Sequence, residues 1–132
     1  MALRFAAILV ILSGALKAQQ FSGIDTIGTS STTQNIYIKQ LGGDSLSSCF
    51  VIVIKQQVKL HKHTSHSETV TVVEGEGTMQ LGEKNFTIKK GDIIFIPRNT
   101  PHAVISTGSV ALKVISSQSP AFDGTDRILL EH

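Results

Sequence analysis

His61-Lys62-His63-Thr64-Ser65-His66-Ser67-Glu68 lies among residues that favour strands. Side chains in a strand repeat with a period of two, so His61 and His63 point to the same side. Two imidazoles on one face, the Glu68 carboxylate just beyond and a fourth candidate at His102 together predict a metal site. A lone His-x-His would be a weak sign, because alternating histidines also occur on exposed strands.

Outward from this stretch, short runs rich in Val, Ile, Thr and Phe alternate with breaks built from Gly, Asp and Asn. Strands are predicted over 35–41, 47–57, 58–63, 69–74, 77–81, 86–89, 93–96, 102–106 and 110–116. The breaks Gly42-Gly43-Asp44, Glu74-Gly75-Glu76-Gly77, Gly82-Glu83-Lys84-Asn85 and Lys90-Gly91-Asp92 supply residues that tolerate turn geometry. Beyond the N-terminus, no segment repeats apolar residues at helical spacing. Many short strands without helices predict an all-β antiparallel sandwich or barrel. The chain has 132 residues, room for one domain with a single core. Residues 35–116 are read as that domain, 19–34 as an extended arm and 117–132 as an irregular tail whose Ile128-Leu129-Leu130 covers one end of the barrel.

Residues 1–18 read as a secretory signal peptide. Arg4 supplies the positive start, Phe5 to Leu12 is unbroken apolar sequence, and Ala18 precedes the expected cut. The apolar run falls well short of the roughly 20 residues needed to cross a bilayer. The expected location is therefore periplasmic or secreted, with no membrane attachment after cleavage. The leader holds two of the twelve basic residues and none of the ten acidic ones, so the remainder balances at zero formal charge. No cluster of Lys and Arg with interleaved aromatics occurs, which argues against a nucleic-acid partner. The single cysteine, Cys49, has no intrachain disulfide partner and is expected to be a small buried hydrophobe.

From His61 the pattern runs His-x-His, four residues, Glu68, six residues, Gly75. A second block runs Gly91, five residues, Pro97, one residue, Asn99, two residues, His102. These blocks resemble the two signature motifs of the cupin superfamily, with the short spacing found in small single-domain bacterial cupins. The resemblance implies a jelly-roll β-barrel holding one metal, with His61, His63, Glu68 and His102 as its ligands. Lys55, Asn99 and Ser106 depart from the pattern. None of them is a ligand, and Asn is the side chain best able to replace Gly at positive φ.

Three imidazoles and one carboxylate suit Fe(II), Mn(II), Ni(II), Co(II) or Zn(II), and a six-coordinate ion would keep two positions open. Such open sites are the catalytic kind, whereas structural zinc is usually closed by four protein ligands. The expected function is a metal-dependent enzyme for a small oxygen-rich substrate, of isomerase, lyase or oxygenase type. The alternative is a non-catalytic exported module that binds a metal or small ligand. His66 is expected to be exposed or to support the ligands from behind. Tyr37 is expected to pack on its strand rather than act as an acid or base. Arg98 is expected to be a solvated turn residue rather than an anchor for a carboxylate substrate. The runs Phe50–Ile54 and Ile93–Ile96 are apolar on both faces, which predicts a homodimer.

Overall fold

The computed structural model describes residues 23–27 and 34–131. The signal-peptide reading, much of the predicted arm and His132 lie outside them. A single 3-10 turn spans Ile24–Thr26. The strands are β1 (Ile36–Gly43), β2 (Ser48–Ile54), β3 (Gln57–Lys62), β4 (Ser67–Glu74), β5 (Glu76–Leu81), β6 (Lys84–Lys89), β7 (Ile93–Ile96), β8 (His102–Ser106), β9 (Leu112–Ser119) and β10 (Ile128–Leu129). Every predicted strand is present.

The strands form two five-stranded antiparallel sheets, ordered β1-β2-β9-β4-β7 and β10-β3-β8-β5-β6. From β2 to β9 the chain passes repeatedly between the sheets, giving the jelly-roll arrangement. The sheets face one another without closing into one hydrogen-bonded cylinder. Alternation sends Ile54, Val72, Met79, Ile88, Ile96 and Leu112 into the space between them, where they form the main core.

Two turn residues need a backbone that few side chains accept. Gly75 has φ 77°, and a Cβ there would stand 2.7 Å from the Ala111 carbonyl oxygen. Asn99 has φ 61°, so asparagine occupies the left-handed position in place of glycine.

Three expectations change. The tail is not simply irregular: β9 continues to Ser119, and β10 pairs with β3 through Ile128↔Lys62 and Leu129↔His61. Cys49 is half-buried rather than buried, with its sulfur 3.8 Å from the Ser117 hydroxyl. The outer face of β2 is apolar for a reason within the chain. Val51 and Val53 pack there under Ile27, with Ile24, Tyr37 and Ile115 around them. Among the described residues none covers Ile93 and Phe95 on β7, which are 70% and 60% exposed.

Candidate metal centre

β3 reaches the site through an irregular ladder. Val58 pairs with Val104 and His61 pairs with His102, so Lys59 and Leu60 together oppose Ala103. Strict alternation from the inward-facing Val58 would turn His61 outward. The extra residue resets the phase, a β-bulge that aims a side chain. His61 and His63 then both face inward, with His102 directly across the ladder. One donor atom from each of these three buried rings lies within 4.8 Å of the others. Glu68, at the start of β4, comes from the opposite sheet. Its Oε2 lies 3.6 Å from His63 Nε2 and 3.5 Å from His102 Nε2. The four residues singled out in the sequence thus meet in one buried place.

Hydrogen bonding decides which face of each ring is available. His61 Nδ1 is 2.8 Å from the Lys59 carbonyl, a group that the bulge presents. His102 Nδ1 is 2.9 Å from the Thr100 carbonyl, and His63 Nδ1 meets the Asp126 carbonyl. A carbonyl only accepts, so each Nδ1 must carry the proton and donate it. In the neutral rings the lone pair then sits on Nε2. His102 Nε2 is buried and has no hydrogen-bond partner. This acceptor nitrogen, buried beside a carboxylate, lacks a donor, and a cation would supply what it lacks. The residues present fit a divalent metal.

Proton affinities follow from the same contacts. Burial, helped by the nearby His102, pushes His61 down to about 3. Burial also opposes charge on His63, but Glu68 and the Asp126 carbonyl outweigh it and raise the proton affinity of that ring. Glu68 is held well below the usual carboxylate range: burial works against ionisation, and His102, His63 and Ser116 together outweigh it.

Several supporting residues escaped the sequence reading. Ser116 donates to Glu68 Oε1 at 2.5 Å, and Gln118 Nε2 donates to Ser116 Oγ at 3.1 Å. Both lie on β9 at inward positions, where two polar side chains two apart were the available sign. Asp126 is the second omission. Its carboxylate accepts from Thr64 N and Oγ1 and Ser65 N, each at 2.8 Å, and from His66 N at 3.2 Å. Burial opposes its ionisation, but the Ser65 and Thr64 donors outweigh it and keep it charged at low pH. One tail residue therefore fixes the loop between His63 and Glu68 with its side chain and orients His63 with its backbone.

His66 is not exposed. It is 1% accessible and its ring lies 4.2 Å from that of His63. Its Nδ1 stands 3.0 Å from Asp126 Oδ2, but neither ring nitrogen makes an aligned hydrogen bond. Burial, reinforced by His63, lowers its proton affinity. The donors of His63, His66 and Asp126 also lie within 4.8 Å of one another. That Asp126 carboxylate already accepts four hydrogen bonds, which makes this group a scaffold for the first.

A cavity of about 320 Å³ opens onto the histidines. Its wall is largely apolar, with Ile36, Ile38, Ile52, Val104, Leu112 and Phe122 among its residues. Gln118 and Arg127 are its polar additions beyond the histidines and Glu68. Tyr37 packs on the outer face of β1 and β2, and Arg98 is an exposed turn residue away from this wall.

Comparison with known proteins agrees with this fold. The Cupin domain family matches residues 50–117. The chain is 36% identical over 81 residues to the uncharacterized protein MJ1618 of Methanocaldococcus jannaschii, covering 61% of this chain and 65% of that one. It therefore spans a little under two thirds of that relative. A double-stranded beta-helix protein of Klebsiella pneumoniae superposes with a TM-score of 0.72 at 18% identity, covering 85% of this chain and 97% of the other. Pac13 of Streptomyces, a nucleoside dehydratase, superposes with a TM-score of 0.65 at 19% identity over 74% of this chain and 79% of its own. At these identities the two structures are related in fold.

Proposed function

The chain belongs to the Cupin domain family, and on that premise we propose that its inner site is a divalent-metal centre of a small enzyme acting on an oxygen-bearing substrate. The observation that carries this reading is the convergence of His61, His63 and His102, each with Nδ1 tied to a backbone carbonyl, beside Glu68. His61, His63, Glu68 and His102 would hold the ion. Fe, Mn, Ni, Co and Zn all suit this donor set. A bound ion of this kind supplies Lewis-acid polarisation of a substrate oxygen.

The protein's own residues do the remaining work. The carbonyls of Lys59, Thr100 and Asp126 fix the tautomers. Ser116 fixes the Glu68 carboxylate, and the apolar wall keeps water from the interior. Pac13 makes dehydration one reaction type to test, alongside isomerisation and oxygenation.

One observation favours a second reading, a module that holds a metal or small ligand without turnover. Among the described residues lining the cavity, no acid or base other than the four proposed ligands is present. Two measurements decide. Protein purified without chelators should contain close to one transition-metal ion per chain by elemental analysis. Metal-loaded protein should then turn over at least one member of a panel of uronates, sugar phosphates, nucleosides and small keto acids. Metal without turnover supports the second reading; no metal under any loading condition overturns the enzyme reading and the metal-holding form of the second.

A further inference from the structure

Resting on the metal-centre reading above, we propose that the ligand of the cavity is a small hydroxy acid with an apolar body, its carboxylate held by Arg127 and its hydroxyl donating to Gln118. Three independent features lead there. Arg127 is an exposed residue that lines the cavity from the segment leading into β10, and no ion pair engages it among the described residues. A planar fork of donors at the open mouth of a cavity suits a carboxylate better than any neutral group.

Gln118 is the second feature. Its Nε2 is committed to Ser116, and its buried Oε1 has no donor. An acceptor buried without a partner is costly, and a ligand hydroxyl at that point would satisfy it. The third feature is the wall itself. Apart from the ligand set, Gln118 and Arg127, the surface is mainly Ile, Val, Leu, Met and Phe. A polyhydroxylated sugar would strip water from many hydroxyls and find few partners, whereas a hydrocarbon or aryl body would fill the space.

The mouth is placed for such a molecule. β1 and β10 are the end strands of their sheets, and β2 and β3 beside them are joined by the Lys55-Gln56 turn. The two end strands therefore border the same side. Ile36 and Ile38 form one lip, and Phe122, Gly124 and Arg127 form the other.

The test uses four probes that differ by one property each: mandelate, methyl mandelate without the charge, phenylacetate without the hydroxyl, and glucuronate without the apolar body. Binding is measured by calorimetry on zinc-loaded and on metal-free protein, for the wild type, Arg127→Gln and Arg127→Lys. Mandelate should bind the wild type about 10-fold more tightly than each of the other three. Arg127→Gln should lose that factor for mandelate and leave methyl mandelate unchanged, while Arg127→Lys recovers part of it. The same charge dependence should remain in metal-free protein, because Arg127 acts without the ion.

Equal mandelate affinity in wild type and Arg127→Gln overturns the arginine assignment. Glucuronate binding better than mandelate overturns the apolar body. Phenylacetate binding as well as mandelate overturns the hydroxyl contact, and no binding of any probe at about 10 mM overturns the whole proposal. Failure of zinc to load would instead count against the metal centre, and the metal-free arm would still decide the role of Arg127.

Discussion

His63 shows how a single ring can couple the metal site to pH. Burial opposes charge on this ring, but Glu68 and the Asp126 carbonyl raise its proton affinity, so near neutral pH the metal-free protein holds the second ring proton more tightly than a free imidazole would. A metal ligand must offer its lone pair, and uptake of the ion therefore displaces that proton. His61, pushed down to about 3, has none to give at that pH. Metal binding should therefore release protons, and affinity should strengthen as pH rises through the histidine range. The apparent binding enthalpy should accordingly vary with the ionisation enthalpy of the buffer; an enthalpy independent of buffer would contradict the assignment. Ser116 makes a second prediction at this scale. Ser116→Ala removes the hydroxyl that holds Glu68 Oε1 and should weaken metal affinity about 10- to 100-fold with the fold intact. Competition with a chromophoric chelator would show it.

At the scale of elements, the site depends on the segment between β9 and β10. Asp126 accepts hydrogen bonds from three successive residues of the loop that joins β3 to β4. Asp126→Ala leaves the buried His66 N–H and the part-buried Thr64 and Ser65 donors without this partner, at a cost of about 2 kcal/mol in urea-unfolding free energy. The same variant should weaken metal binding, because residues 64–66 would no longer hold His63 and Glu68 in register. Unchanged stability would show that the loop is held by other contacts. This element also marks the limit of what the sequence disclosed. The four candidate ligands were legible because two sit at strand spacing and because Gly75, Gly91 and Pro97 frame a pattern. Asp126 was not, since it lies 58 residues beyond Glu68 in a stretch of turn-forming residues with no periodicity of its own. The bulge at Lys59-Leu60 was equally hidden. Nothing in Val58-Lys59-Leu60-His61 announces an extra residue, and alternation counted from Val58 would place His61 on the wrong face.

For the whole molecule, the division of the surface matters more than its net charge. Alternation was legible along most strands, so the two-sheet core was predictable from the sequence. Which outer faces remain bare was not. The outer apolar face of β2 is covered by Ile24 and Ile27, residues that local pattern assigns only to a loose arm. Among the described residues none covers β7 in this way, and it is the end strand of its sheet. An uncovered strand edge beside large apolar side chains is a natural place for another chain to pair. We propose that two copies meet there. The wild type should run as a dimer by light scattering at micromolar concentration, and Phe95→Lys should convert it to a monomer without loss of metal. A wild type that is monomeric under those conditions removes the proposal.

The bracing of the histidines by Asp126 also sets an order of events during synthesis. All four proposed ligands leave the ribosome well before the aspartate that arranges them. A growing polypeptide therefore displays loose imidazoles first and acquires a shaped receptor only once its final strand has docked. In the proposed metal centre, selectivity among ions would then belong to the folded protein.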